Sequence, residues 1–149
     1  MGKVKYNVSE LIGISVRREH NIMATLKSPK RIQRKRISGW HNPPSTRYCG
    51  RGTRWGNVFR IGGLYPCEDK NLTRDDVLLL NRMSLEILLR DMGVDRFVRE
   101  YLLPLSGYRH LSCFCPRTLP CHVDLWIDYL RLYRPEIEMM KKQGTVLTP

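Results

Sequence analysis

Apolar residues show no sustained period over residues 1–28, where Leu11-Ile-Gly-Ile-Ser-Val16 is the one run fit for a short strand, so this stretch reads as an N-terminal extension. Met23 opens a segment that itself looks like a protein start, leaving Met1 and Met23 as alternative beginnings. Arg31 to Ile37 alternates weakly and predicts the first core strand. Gly39 to Arg47, with Asn42, Pro43 and Pro44, predicts a loop; Tyr48-Cys49 predicts a short strand, and Val58 to Ile61 another, broken by Gly62-Gly63.

Helical spacing begins after Thr73, which offers an N-cap with Asp75 and Asp76 in the first turn. Val77, Leu80, Met83, Ile87 and Leu88 form one face of a helix running to about Arg90, and Leu78, Leu79, Leu85 and Leu89 widen it into a well-buried element. Gly93 interrupts the pattern, and a second helix from Asp95 carries Phe97, Val98, Tyr101 and Leu102 up to Pro104. His110 to Phe114 predicts a buried strand. Val123, Trp126, Ile127 and Leu130 then predict a helix from Cys121 to about Tyr133, closed by Pro135, with residues 135–149 as a polar tail expected to fray. Strands interleaved with helices predict an α/β fold: a small single-domain sheet flanked by helices over residues 29–134, behind the basic extension 1–28. There is no internal repeat or low-complexity stretch.

A chain of 149 residues is long enough for one real core. The apolar run Val77 to Leu80 is far too short to cross a membrane, and no stretch has the form of a signal peptide. Five cysteines, odd in number and mostly clustered, argue against a secreted disulfide framework and for a reducing cytoplasm.

Charge changes the picture more. Residues 1–62 hold fourteen Lys and Arg against two Asp and Glu, whereas residues 63–149 hold twelve of each, so the whole net charge of +12 sits in the first part. Lys27 to Arg36 is the densest run, and Lys30, Arg31, Arg34, Lys35 and Arg36 are its candidate nucleic-acid contacts. Such asymmetry points to a polyanion partner, a nucleic acid, nucleotide phosphate or anionic surface; a solvated arm that maintains solubility is the competing explanation.

Two segments carry candidate chemistry. Cys113, Cys115, Cys121 and His122 fall within ten residues. Cys113 and Cys115 share one face of a strand, while Cys121 and His122 sit at a helix start, whose free N–H groups lower a thiol pKa. Three readings stay open: a structural Cys₃His zinc site, against which stands the adjacency of Cys121 and His122; a thiolate nucleophile at Cys121 or Cys115; and reduced cysteines packed as small hydrophobes. The second segment is Gly50-Arg-Gly-Thr-Arg-Trp-Gly-Asn57. Its glycines allow close backbone approach, Arg51 and Arg54 can clamp a phosphate or carboxylate, Trp55 offers a stacking face, and Asn57 can read an edge. The alternative is a tight turn whose Trp55 plugs the core. The loop lacks the Gly-Lys-Ser/Thr ending of a Walker loop.

Three segments together, Arg31 to Trp40, Tyr48 to Phe59, and Leu111 to Pro116 with Pro120 to Leu125, resemble domain of unknown function 4326, a small domain of bacteria and bacterial viruses. That family has an Arg-rich opening strand, a Gly-Arg-x-Ser/Thr-x-Trp-Gly-Asn-Pro-Phe loop and a Cys-Trp-Cys…Pro-Cys-His-x-Asp-Val-Leu ending. Its motif positions correspond to Arg51, Trp55, Gly56, Asn57, Phe59, Cys113, Cys115, Pro120, Cys121, His122 and Asp124, within a match from about Lys30 to Tyr133. Val58 replaces the loop proline, Phe114 the tryptophan between the cysteines, and Trp126 an aliphatic residue. The resemblance implies a domain and a site but no reaction.

The two segments are expected to share one pocket, because arginines, an amide and an imidazole are costly to bury singly. There Arg51, Arg54, Trp55 and Asn57 would bind the anion, with Cys115, Cys121, His122 and Asp124 as the catalytic set and Asp124 orienting His122 or an arginine. The expected function is binding or processing of a phosphorylated nucleotide or nucleic-acid component. The alternative is a non-catalytic nucleic-acid-binding module with zinc on Cys113, Cys115, Cys121 and His122.

Overall fold

The computed structural model describes residues 28–64 and 69–146. The expected strand at Leu11 to Val16, the alternative start at Met23, and Cys67 lie outside these residues. Three short parallel strands form the sheet, β1 (Lys30–Gln33), β2 (Thr46–Tyr48) and β3 (His110–Cys113), in the order β1-β3-β2. The last strand therefore lies in the middle, pairing Ile32 and Tyr48 on either side of Ser112. Four helical segments accompany it among the described residues: α1 (Arg74–Met92), α2 (Val94–Phe97, widening into a π-helical turn over Val98–Leu102), α3 (His122–Leu132) and α4 (Arg134–Val146). The fold is α/β, as expected. Among the described residues no helix is long and apolar enough to cross a membrane.

Local signals explain the element ends. Thr73 caps α1 through a reciprocal box: its hydroxyl accepts from Asp76 N at 3.2 Å, and Asp76 Oδ2 accepts from Thr73 N at 2.8 Å. Gly93, at φ +82°, ends the helix in a conformation that favours glycine. The buried stripe of α1 is Val77, Asn81, Leu85 and Leu89, and the expected core residues Met83 and Ile87 are about half exposed. Apolar residues almost encircle this helix, so periodicity does not choose the inner face; the fourfold row that meets the rest of the fold does.

Two other expectations fail. Val58 to Ile61 is not a strand, because Asn57 Oδ1 takes the Phe59 N–H and the chain turns at Gly62 without finding a sheet partner. Residues 135–146 are not a frayed tail: Pro135 stands in the first turn of α4, where no N–H is needed, and Ile137 is buried in the core. Proline here opens a helix as much as it closes one.

Aromatic residues build the core between α2, α3 and the Gly50–Asn57 loop. Phe97 and Tyr101 both stack on Trp126, with centroids 6.2 and 5.9 Å away. Two indoles tie the loop down: Trp126 Nε1 donates to Trp55 O at 2.8 Å, and Trp55 Nε1 donates to Tyr101 O at 2.9 Å. Truncating Trp126 to Ala should therefore cost about 3–5 kcal/mol of stability. Denaturant unfolding measures it, and a loss below about 1 kcal/mol would contradict the assigned core.

Candidate functional site

The cysteines converge at the carboxyl end of the parallel sheet, where open α/β sheets place their sites. Cys113 ends β3, and the chain passes through Cys115 and a short loop before Cys121 caps α3 in an extended conformation. That geometry answers the objection from adjacency. An extended Cys121 followed by a helical His122 points both side chains the same way, with Sγ and Nδ1 3.5 Å apart. Cys113 and Cys121 sulfurs stand 3.0 Å apart, and the three sulfurs of Cys113, Cys115 and Cys121 all lie within 4.8 Å of one another. Such a cluster can hold a metal ion. His122 stands beside it; its Nε2 bonds Cys49 O at 2.7 Å. A carbonyl only accepts, so Nε2 carries a proton, and Nδ1 is the ring atom that faces Cys121.

Thiol pKa values diverge across the trio. Cys121 is held well below the ordinary thiol range by hydrogen bonds from Cys113 and Cys115, helped by the Val123 N–H at the helix start and by Arg31. Cys115 is lowered too, by Cys113 and then His122. Cys113 is raised because its proton serves both neighbours. Burial pushes Cys49, outside the trio, up to about 12.

The side chain of Arg31, a candidate nucleic-acid contact by its place in the basic run, is only 11% exposed. Its Nη2 donates to the carbonyls of Arg117 at 2.8 Å and Leu119 at 2.9 Å, with Pro116 O at 3.4 Å. Its Nη1 lies 3.3 Å from Asp124 Oδ2, which in turn accepts the Cys121 N–H at 3.0 Å. Of its two expected partners, His122 or an arginine, Asp124 takes Arg31 and also the helix start, while the Cys49 carbonyl holds His122.

The Gly50–Asn57 loop divides. Arg51 and Asn57 line a cleft of about 440 Å³ together with Cys113, Cys115, Cys121 and His122, so these parts of the two segments do share one pocket. Trp55 does not line it: it is 4% exposed and plugs the core, as the competing explanation had it. Arg54 turns the other way, donating to Glu100 O at 3.0 Å. Asn57 lines the cleft with its amide already engaged, Nδ2 on Val77 O and Oδ1 on Phe59 N, both at 2.9 Å. Of the basic run, Arg36 reaches the cleft, Arg34 lies over the Tyr48 ring, and Lys30 and Lys35 are exposed.

Sequence reasoning missed Arg74, which lines the cleft and donates to Pro120 O at 3.1 Å. Its place beside the Thr73 cap was the available signal, since the first turn of a helix faces whatever its N-terminus faces. Tyr48 and Phe114 were missed as cleft walls. Arg36, Arg51 and Arg74 bring positive charge to a lining that contains no carboxylate among the described residues.

The fold and site together define a small α/β domain with a thiol–imidazole cluster flooring a basic cleft. The chain belongs to the family described as domain of unknown function (DUF4326), whose model matches residues 32–131. No curated protein and no solved structure matches the chain.

Removing the Arg31 guanidinium should loosen the loop between Cys115 and Cys121 and raise the Cys121 pKa. For Arg31→Ala we expect a stability loss of roughly 1–3 kcal/mol and an upward shift in the pH midpoint of Cys121 alkylation. An unchanged midpoint in a folded variant would remove Arg31 from the site.

Proposed function

We propose that the protein binds or acts on a phosphorylated nucleotide or nucleic-acid component in this cleft. The observation that carries the reading is charge: Arg36, Arg51 and Arg74 line a concave site that holds no carboxylate among the described residues, beside the N-terminus of α3. In this reading Cys121 or Cys115 is the nucleophile and His122 Nδ1 the acid/base, held by the Cys49 carbonyl. Arg51 is the anion clamp, without Arg54. Calorimetric titration with nucleoside phosphates at low salt tests it: Arg51→Ala should weaken binding about tenfold or more, and no binding by the unaltered protein would end the proposal. Neutralising Arg34, Lys35 and Arg36 together should weaken nucleic-acid affinity in a salt-sensitive manner.

A second reading, a non-catalytic nucleic-acid-binding module with structural zinc, is favoured by the convergence of the sulfurs. Zinc–ligand distances of about 2.3 Å to sulfur and 2.0–2.1 Å to nitrogen set a sulfur and a nitrogen about 3.6 Å apart, and two sulfurs about 3.8 Å apart, across a tetrahedron. The Cys121–His122 separation of 3.5 Å suits this, while the Cys113 and Cys121 sulfurs, at 3.0 Å, would part by about 0.8 Å. The Nε2 contact to Cys49 O is the outer bond a ligating histidine needs, and Arg31 would offset the charge of three thiolates. Metal analysis of protein purified without added zinc separates the readings. Stoichiometric zinc whose removal unfolds the chain supports the module; no metal and one cysteine that alkylates fast near neutral pH supports thiol chemistry.

A further inference from the structure

The cleft has a wall that charge alone does not explain. Tyr48, at the end of β2, and Phe114, just beyond β3, both line it, and their rings meet edge to face at 5.9 Å. Both are half-buried. Guanidinium groups already lie on them: Arg34 is 5.0 Å from the Tyr48 centroid, and Arg36 is 4.5 Å from that of Phe114. Tyr48 lies so close over Gly50 that any Cβ there would collide with the ring, which fixes it against the loop that carries Arg51.

We infer that this aromatic corner is a nucleobase platform, and that the cleft takes a single nucleoside phosphate with its base stacked on Phe114 and bordered by Tyr48, whose ring stands at 74° to it. The assignment rests on the anion cleft proposed above and adds the class of group attached to the phosphate. An aromatic face that holds a planar guanidinium also suits a planar base. Arg36 rests on one of these faces and lines the same cleft, so an arriving base displaces it toward the phosphates, beside Arg51 and Arg74. About 440 Å³ matches one small ligand more closely than a nucleic-acid strand.

Equilibrium binding of the full chain to pyrophosphate, ribose 5-phosphate and nucleoside mono- and diphosphates, at fixed ionic strength, tests the platform. Nucleotides should bind about tenfold or more tighter than ribose 5-phosphate. Phe114→Ala should erase that advantage while leaving ribose 5-phosphate affinity within about twofold, and Phe114→Trp should restore it. Equal affinity for ribose 5-phosphate and nucleotides in the unaltered protein overturns the platform but leaves an anion site. A nucleotide advantage that survives in both Phe114→Ala and Tyr48→Ala also overturns it, while the nucleotide reading stands. Failure of every phosphorylated ligand to bind removes both.

Discussion

A guanidinium buried between the first strand and the last part of the motif holds the site in shape. Arg31 comes from β1, yet its hydrogen bonds gather the loop that separates Cys115 from Cys121, and its ion pair reaches Asp124 on α3. The guanidinium is mostly buried and would be costly without partners; the carbonyls of Arg117 and Leu119, on exposed loop residues, supply them, and the loop is held against β1 in return. The carboxylate it pairs with also caps the helix through the Cys121 N–H. Strand, loop and helix start are thus fixed relative to one another by one side chain, and the three sulfurs inherit that arrangement.

The basic cleft depends on a second anchor. Trp55 lies in the core and accepts, through its carbonyl, the indole proton of Trp126 on α3. The same helix therefore positions Cys121 and His122 at its start and restrains the arginine loop from its middle. His122 closes the circuit by bonding the Cys49 carbonyl, one residue before that loop begins. This is why Arg51 and the cysteines share a cleft though more than sixty residues separate them in sequence.

Much of this was legible where chemistry and local geometry coincide. Thr73 with Asp76, Cys121 with Asp124, and the apolar spacing behind His122 mark helix starts by short-range rules, and all three hold. Val58 to Ile61 misled because strand propensity has no meaning without a partner strand. Pro135 misled because proline both ends and opens helices, and only the burial of Ile137 decides which. Arg31 was illegible for a related reason. In sequence it is one cation in a basic run; only the parallel pairing of Arg31 with Leu111 brings it beneath the loop that needs its donors. Trp55 and Arg54 share a motif with Arg51 but point elsewhere, because a glycine-rich turn reverses direction within a few residues.

The account stands on one claim, that the arginine cleft and the thiol cluster are a single site. Cysteine-resolved alkylation, read by mass spectrometry with and without a saturating nucleoside phosphate, addresses it directly. Bound ligand should slow labelling of Cys115 and Cys121 several-fold in the unaltered protein, and Arg51→Ala should shift that protection to about tenfold or more higher ligand concentration. Unchanged labelling of both cysteines with the ligand demonstrably bound would place the anion elsewhere and contradict the single site.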